Sequence, residues 1–124
     1  LEGQLNVIVA RDHRVLEVGD IAVAPLKTNH RFFNTSDTPV TCLIEIRPAR
    51  QLEKSLRIAY GLARDGKVNS RGIPTNIWHL ALIFQFAETY LPGLPLFIQR
   101  ALFGILASIA KWRGIDKALE RQYV

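Results

Sequence analysis

Hydrophobic and polar residues alternate with a period of two through roughly the first 48 residues, and the period then changes to that of a helix. Alternation of this kind predicts strands at 4–10, 14–18, 21–24, 31–33 and 40–46, because successive strand side chains point to opposite faces. Turn chemistry separates them at Arg11-Asp12-His13, at Gly19-Asp20 and from Thr35 to Pro39. Pro25 has no N–H for a ladder and ends the third of these segments; Lys27, Thr28 and Asn29 follow as a polar loop. In the next run, His30 and Phe32 share one face, while Arg31 and Phe33 share the other. In the last, Val40, Cys42, Ile44 and Ile46 form the face expected to turn inward, opposite Thr41, Leu43, Glu45 and Arg47.

After Pro48, Leu52, Leu56, Ala59, Tyr60 and Ala63 recur at helical spacing and predict an amphipathic helix, with Glu53 and Arg57 paired on its polar side. Gly66 is its expected stop, and residues 67–74 form a loop. Thr75 or Asn76 can cap a second helix running to about Tyr90. Apolar residues surround that helix almost completely, so it must be buried on more than one side. Leu91-Pro92-Gly93-Leu94 breaks the chain, and Pro95 opens a helix to about Trp112 with a narrow polar or small stripe of Arg100, Gly104, Ser108 and Lys111. Gly114 stops it, and residues 116–122 form a short last helical segment.

Gly19, Pro25, His30 and Asn34 are separated by five, four and three residues. This spacing resembles the second conserved motif of the cupin superfamily; the second glycine usual in that motif is replaced by Lys27. Leu1-Glu2-Gly3 looks like the end of the first cupin motif, and Glu45-Ile46-Arg47-Pro48 like the last barrel strand. The resemblance covers roughly residues 1–48. It implies an α+β fold: part of an antiparallel β-barrel of the cupin, jelly-roll type over residues 1–48, followed by three to four α-helices over residues 49–124. The helical extension is expected to pack on the barrel or form a dimer interface. In cupins the first motif carries two histidines and a glutamate ahead of a final glycine. Gly3 matches that glycine, so the chain is read as N-terminally truncated, with the ligand-bearing segment upstream of Leu1.

The resemblance nominates His30 as a metal ligand. A metal site normally needs three or more ligands, and no histidine or carboxylate neighbours His30 at convincing spacing. A divalent metal ion is therefore expected only if upstream ligands exist. Phe32 shares the face of His30 and is a candidate substrate-binding residue in an apolar pocket. Glu45 is the second such candidate, at a pocket rim, against the favoured reading of a solvated carboxylate paired with Arg47 or a helix. His13 is expected in a turn, His79 as a satisfied buried histidine and Asn34 as a turn residue bonding the backbone. No nucleophile elbow, Gly-rich phosphate loop or histidine pair is present, which leaves catalysis unassigned.

Composition narrows the partners. With 48% hydrophobic and 22% charged residues, the 124-residue chain can build a core. The sixteen Lys and Arg residues give a net charge of +5 but are interleaved with acids, which argues against nucleic-acid binding. The mild cluster Arg47, Arg50, Lys54 and Arg57 reads as a solvated face. One cysteine, Cys42, excludes an internal disulfide and fits a reducing, cytoplasmic setting, with the thiol as buried filler. A membrane span needs ~20 apolar residues, and Gln85, Glu88, Gln99 and Arg100 interrupt the two apolar helices. Trp112, flanked by Lys111 and Arg113, matches an interfacial helix, although cover of the barrel or a homodimer interface is the favoured reading. Two functions follow: a cupin-type domain binding a small molecule, or a non-catalytic scaffold whose helical hairpin contacts itself, a partner or a membrane surface.

Overall fold

The computed structural model describes residues 2–124. The class is α+β, with a three-stranded antiparallel sheet that does not close on itself and four helices. The chain divides into two compact units, one of strands ending at Ile46 and one of helices, Arg47–Val124.

Strands β1 (Leu5–Val9), β2 (Asp12–Leu16) and β3 (His30–Phe33) lie in the order β2-β1-β3. Val9 pairs with Asp12, so the hairpin turns on Ala10-Arg11, with Ala10 in the left-handed region at φ 55°. His13 consequently lies in β2 opposite Ile8 and not in a turn. Residues 21–24 and 40–46 are not strands, apart from a single bridge between Thr41 and Glu2. Alternation in those segments is real, but a strand also needs a ladder partner, and among the described residues neither segment has one beyond that bridge. Cys42, expected to be buried, is exposed for the same reason. The strand unit buries only one described residue, Asn6.

The apolar core lies in the helical unit: Ile58, Leu62, Ala81, Leu82, Phe86, Ala107, Ala110 and Leu119. Helix α1 (Leu52–Arg64) buries Ser55, Ile58, Gly61 and Leu62 and leaves Tyr60 73% exposed, so its inner face is rotated from the one predicted. Small residues decide that rotation. Ser55 donates through Oγ to the Ile83 carbonyl at 3.1 Å, and Gly61 lies against the Tyr123 ring. Helix α2 (Ile77–Ala87) starts where the Asn76 side chain accepts from the Trp78 N–H at 2.9 Å. It ends earlier than predicted, at Glu88, in the left-handed region. Helix α3 (Leu96–Trp112) follows Pro95, and α4 (Ile115–Tyr123) follows Gly114, whose φ of 70° turns the chain.

Gln99 fixes the connection between α2 and α3. It is 2% exposed. Its Oε1 accepts from the Leu91 N–H at 2.7 Å, and its Nε2 donates to the carbonyls of Leu91 and Leu94 at 2.8 and 2.9 Å. A buried amide needs such partners, and these also bind the Leu91-Pro92-Gly93-Leu94 turn to the helix. Gln99→Leu keeps the volume and removes all three bonds. Stability in urea is expected to fall by about 1–2 kcal/mol, at roughly 1 kcal/mol per net bond less what water recovers at the exposed turn. An unchanged midpoint would mean that the turn holds itself.

Candidate functional site

The residues nominated from the motif do not assemble into a closed site. His30 is exposed on β3 opposite Val9, and its Nδ1 lies 2.9 Å from the Thr28 carbonyl. A carbonyl only accepts, so Nδ1 carries the proton and Nε2 remains the acceptor of the neutral ring. Phe32 shares that face, opposite Val7, and is exposed. Glu45 lies outside the three strands on an exposed segment. Among the described residues, no group of three or more His, Cys, Asp or Glu side chains could hold a metal ion.

The opposite face of the sheet carries a polar network that alternation alone did not reveal. Buried Asn6 donates through Nδ2 to Thr35 Oγ1 at 3.1 Å, and its Oδ1 accepts from His13 Nε2 at 2.9 Å. The His13 ring stacks on Phe33 with centroids 6.0 Å apart, and the Arg31 guanidinium lies 5.0 Å over the same ring. The available signal was one asparagine inside the apolar run Leu5 to Val9. Asn34 performs the turn role expected of it, donating to the Thr38 carbonyl and accepting from the Ser36 N–H.

Two shallow depressions lie in the helical unit. One, of about 340 Å³, is lined by Arg50, Lys54 and Arg57 with Gln51, Glu53 and Val124. Its cations are already neutralised: Arg50 by Glu88 at 2.5 Å, Lys54 by Glu120 at 2.7 Å and Arg57 by Glu53 at 2.8 Å. The hydrogen bonds and charge of Glu88 hold the Arg50 guanidinium above its ordinary pKa. The other depression, of about 380 Å³, runs from Arg50 past Glu88 and Tyr90 to Arg100 and Phe103. Neither contains a nucleophile–base pair. His79 is half-buried, and its Nδ1 has no partner among the described residues; burial, followed by the charge of Lys67, lowers its pKa.

An exposed apolar stripe runs along α3. The inner side of the helix puts Gln99, Ala107 and Ala110 out of solvent, with Phe103 and Leu106 against the core. Small alanines at the contact allow α3 to approach its neighbours closely. The bulky residues consequently face outward: Phe97 is 74%, Ile105 61% and Trp112 86% exposed, with Ile98, Leu102 and Ile109 on the same side. At 100° per residue these positions form one continuous stripe along the helix. Arg100 and Lys111 follow one margin of the stripe and Arg113 the other. The helix itself contains no Asp or Glu.

Comparison with family models, with curated proteins and with solved structures gave no match to this chain.

Proposed function

We propose that this chain is a non-catalytic contact module in which the strand unit serves as scaffold and the outer side of α3 docks on another surface. The observation that carries this reading is the continuous exposed stripe from Phe97 to Trp112. Contiguous apolar surface on one helix face is costly in water and marks contact sites far more often than scattered exposed residues do. Light scattering of the 124-residue chain, with and without nonionic detergent micelles, tests it. The wild type is expected to exceed its 14.0 kDa monomer mass by self-association, or to take up detergent, and Leu102→Glu to do neither. A wild type that stays monomeric and takes up no detergent would sink the proposal.

A second reading keeps the strand unit as part of a cupin barrel that binds a small molecule. The motif spacing favours it, as does the backbone at two motif positions: Gly19 at φ 95° and Asn34 bonding its own turn. In this reading Phe32 and Glu45 contribute to the pocket, and His30 is one ligand of a divalent ion only if further ligands join it, since the described residues group none around it. Metal analysis of the purified protein tests it. Bound metal that is lost in His30→Ala supports the reading, and metal-free protein in both cases removes the metal from it.

A further inference from the structure

We infer that the surface docked by α3 is that of an anionic lipid bilayer, with the helix lying in the interface plane. The inference rests on the contact reading above and names its partner. Three observations lead to it. First, the apolar stripe ends at Trp112, the most exposed large side chain of the helix, and amphipathic rings of this kind settle at the headgroup level. Second, cations border the stripe on both sides and no carboxylate lies on the helix. Among the described residues, Arg100, Lys111 and Arg113 form no ion pair and instead lie 5.7, 5.8 and 5.7 Å over the rings of Tyr90, Phe86 and Trp78. Long cationic side chains at the margins of an apolar face can swing their charged heads to lipid phosphates while their apolar stems stay along the rim of that face.

Third, charge is distributed unevenly along the chain. The helical unit, residues 47–124, holds twelve Lys and Arg against five Asp and Glu, while residues 1–46 hold four against six. The net of +7 on one unit and −2 on the other points the helical unit toward a negative surface. A second copy docking through the same stripe would bring Arg100, Lys111 and Arg113 toward their own counterparts, with no carboxylate on either α3 to separate them. No helix among the described residues is long and apolar enough to cross a membrane, so the contact is with the surface of the bilayer and not through it.

Co-sedimentation of the full chain with vesicles of phosphatidylcholine alone and with 30% phosphatidylglycerol tests this, with light scattering of the lipid-free protein alongside. The expected result is strong partition onto the anionic vesicles and weak partition onto the neutral ones. Each juxtamembrane cation is worth ~1 kcal/mol, so Lys111→Gln and Arg113→Gln together should lower the anionic partition coefficient about 30-fold at unchanged far-UV circular dichroism. Leu102→Glu with Ile105→Glu should abolish it. Equal binding to both vesicle types would overturn the choice of an anionic partner. No sedimentation, together with self-association that Leu102→Glu abolishes, would overturn the lipid inference and leave the contact reading standing. No sedimentation from a protein that is also monomeric and takes up no detergent would remove both.

Discussion

Leu82→Ala is expected to cost the helical unit about 2–5 kcal/mol, the range for removing a buried leucine with partial collapse of the cavity. Leu82 is fully buried on α2, in a cluster that α1, α3 and α4 also supply. Only eight described apolar residues in the chain are buried, and three of them are alanines. The bulky side chains that fill the interior are therefore few, and the loss of one is hard for the others to absorb. Domains are stable by ~5–15 kcal/mol, so the variant should be close to half-unfolded at moderate temperature, with its melting point lowered by ~10 °C or more. Thermal denaturation followed by circular dichroism at 222 nm measures this. Leu82→Met, which conserves volume, should cost less than ~1.5 kcal/mol; a comparable loss in both variants would mean that side-chain shape, not burial, governs the position.

Gly61→Val is the second large effect, expected at about 3 kcal/mol from overpacking. A helix interior ordinarily penalises glycine by ~1 kcal/mol relative to alanine. Here a side chain at position 61 would run into the Tyr123 ring. Tyr123 in turn donates through its hydroxyl to Asp65 Oδ2 at 2.7 Å and accepts from Lys67 Nζ at 3.0 Å, which ties α4 to the end of α1. The Tyr123 hydrogen bond is the main cause of a lowered Asp65 pKa and of a raised Lys67 pKa. A lowered carboxyl pKa contributes stability above its unfolded value near 4, and the contribution is lost as pH falls through the folded value. In Gly61→Val the ring is displaced, so an NMR titration of the Asp65 carboxyl should show its pKa moving upward. In the Tyr123→Ala background the same substitution should cost much less, and a cycle without that coupling would disprove the steric argument.

The helices could be read from the sequence because their signals are local. Asn76 caps α2, Gly114 turns the chain into α4, and the Leu91-Pro92-Gly93-Leu94 break separates two helices regardless of what they pack against. Their inward faces were less legible. On α1 the apolar residues Leu56 and Tyr60 lie outside, and Ser55 and Gly61 lie inside, because the closeness of the α2 backbone and the Tyr123 ring admits only small side chains. On α3, Gln99 reads as a polar interruption of an apolar helix, yet it is buried by the turn it binds. In the strand unit, alternation marked β1 and β3 but also 21–24 and 40–46, since side-chain period says nothing about whether a neighbouring strand is present. The motif nominated His30 and Phe32 on one face of β3, and the structure keeps them there. On α3 the outward stripe is not legible in sequence, because its bulky residues read as core until Ala107 and Ala110 take the interior.

That Asn6 alone is buried among the described residues of the strand unit has a consequence for how this molecule opens. Amide exchange is slowest where breaking a hydrogen bond requires exposing apolar mass, and the sheet has no fully buried apolar side chain to expose. The amides in the ladders of β1 with β2 and β3 are therefore expected to exchange faster than those of the helical core, which hydrogen exchange followed by NMR checks. Both tryptophans, Trp78 and Trp112, lie in the helical unit, and an unfolding curve read by intrinsic fluorescence follows that unit while remaining blind to the sheet.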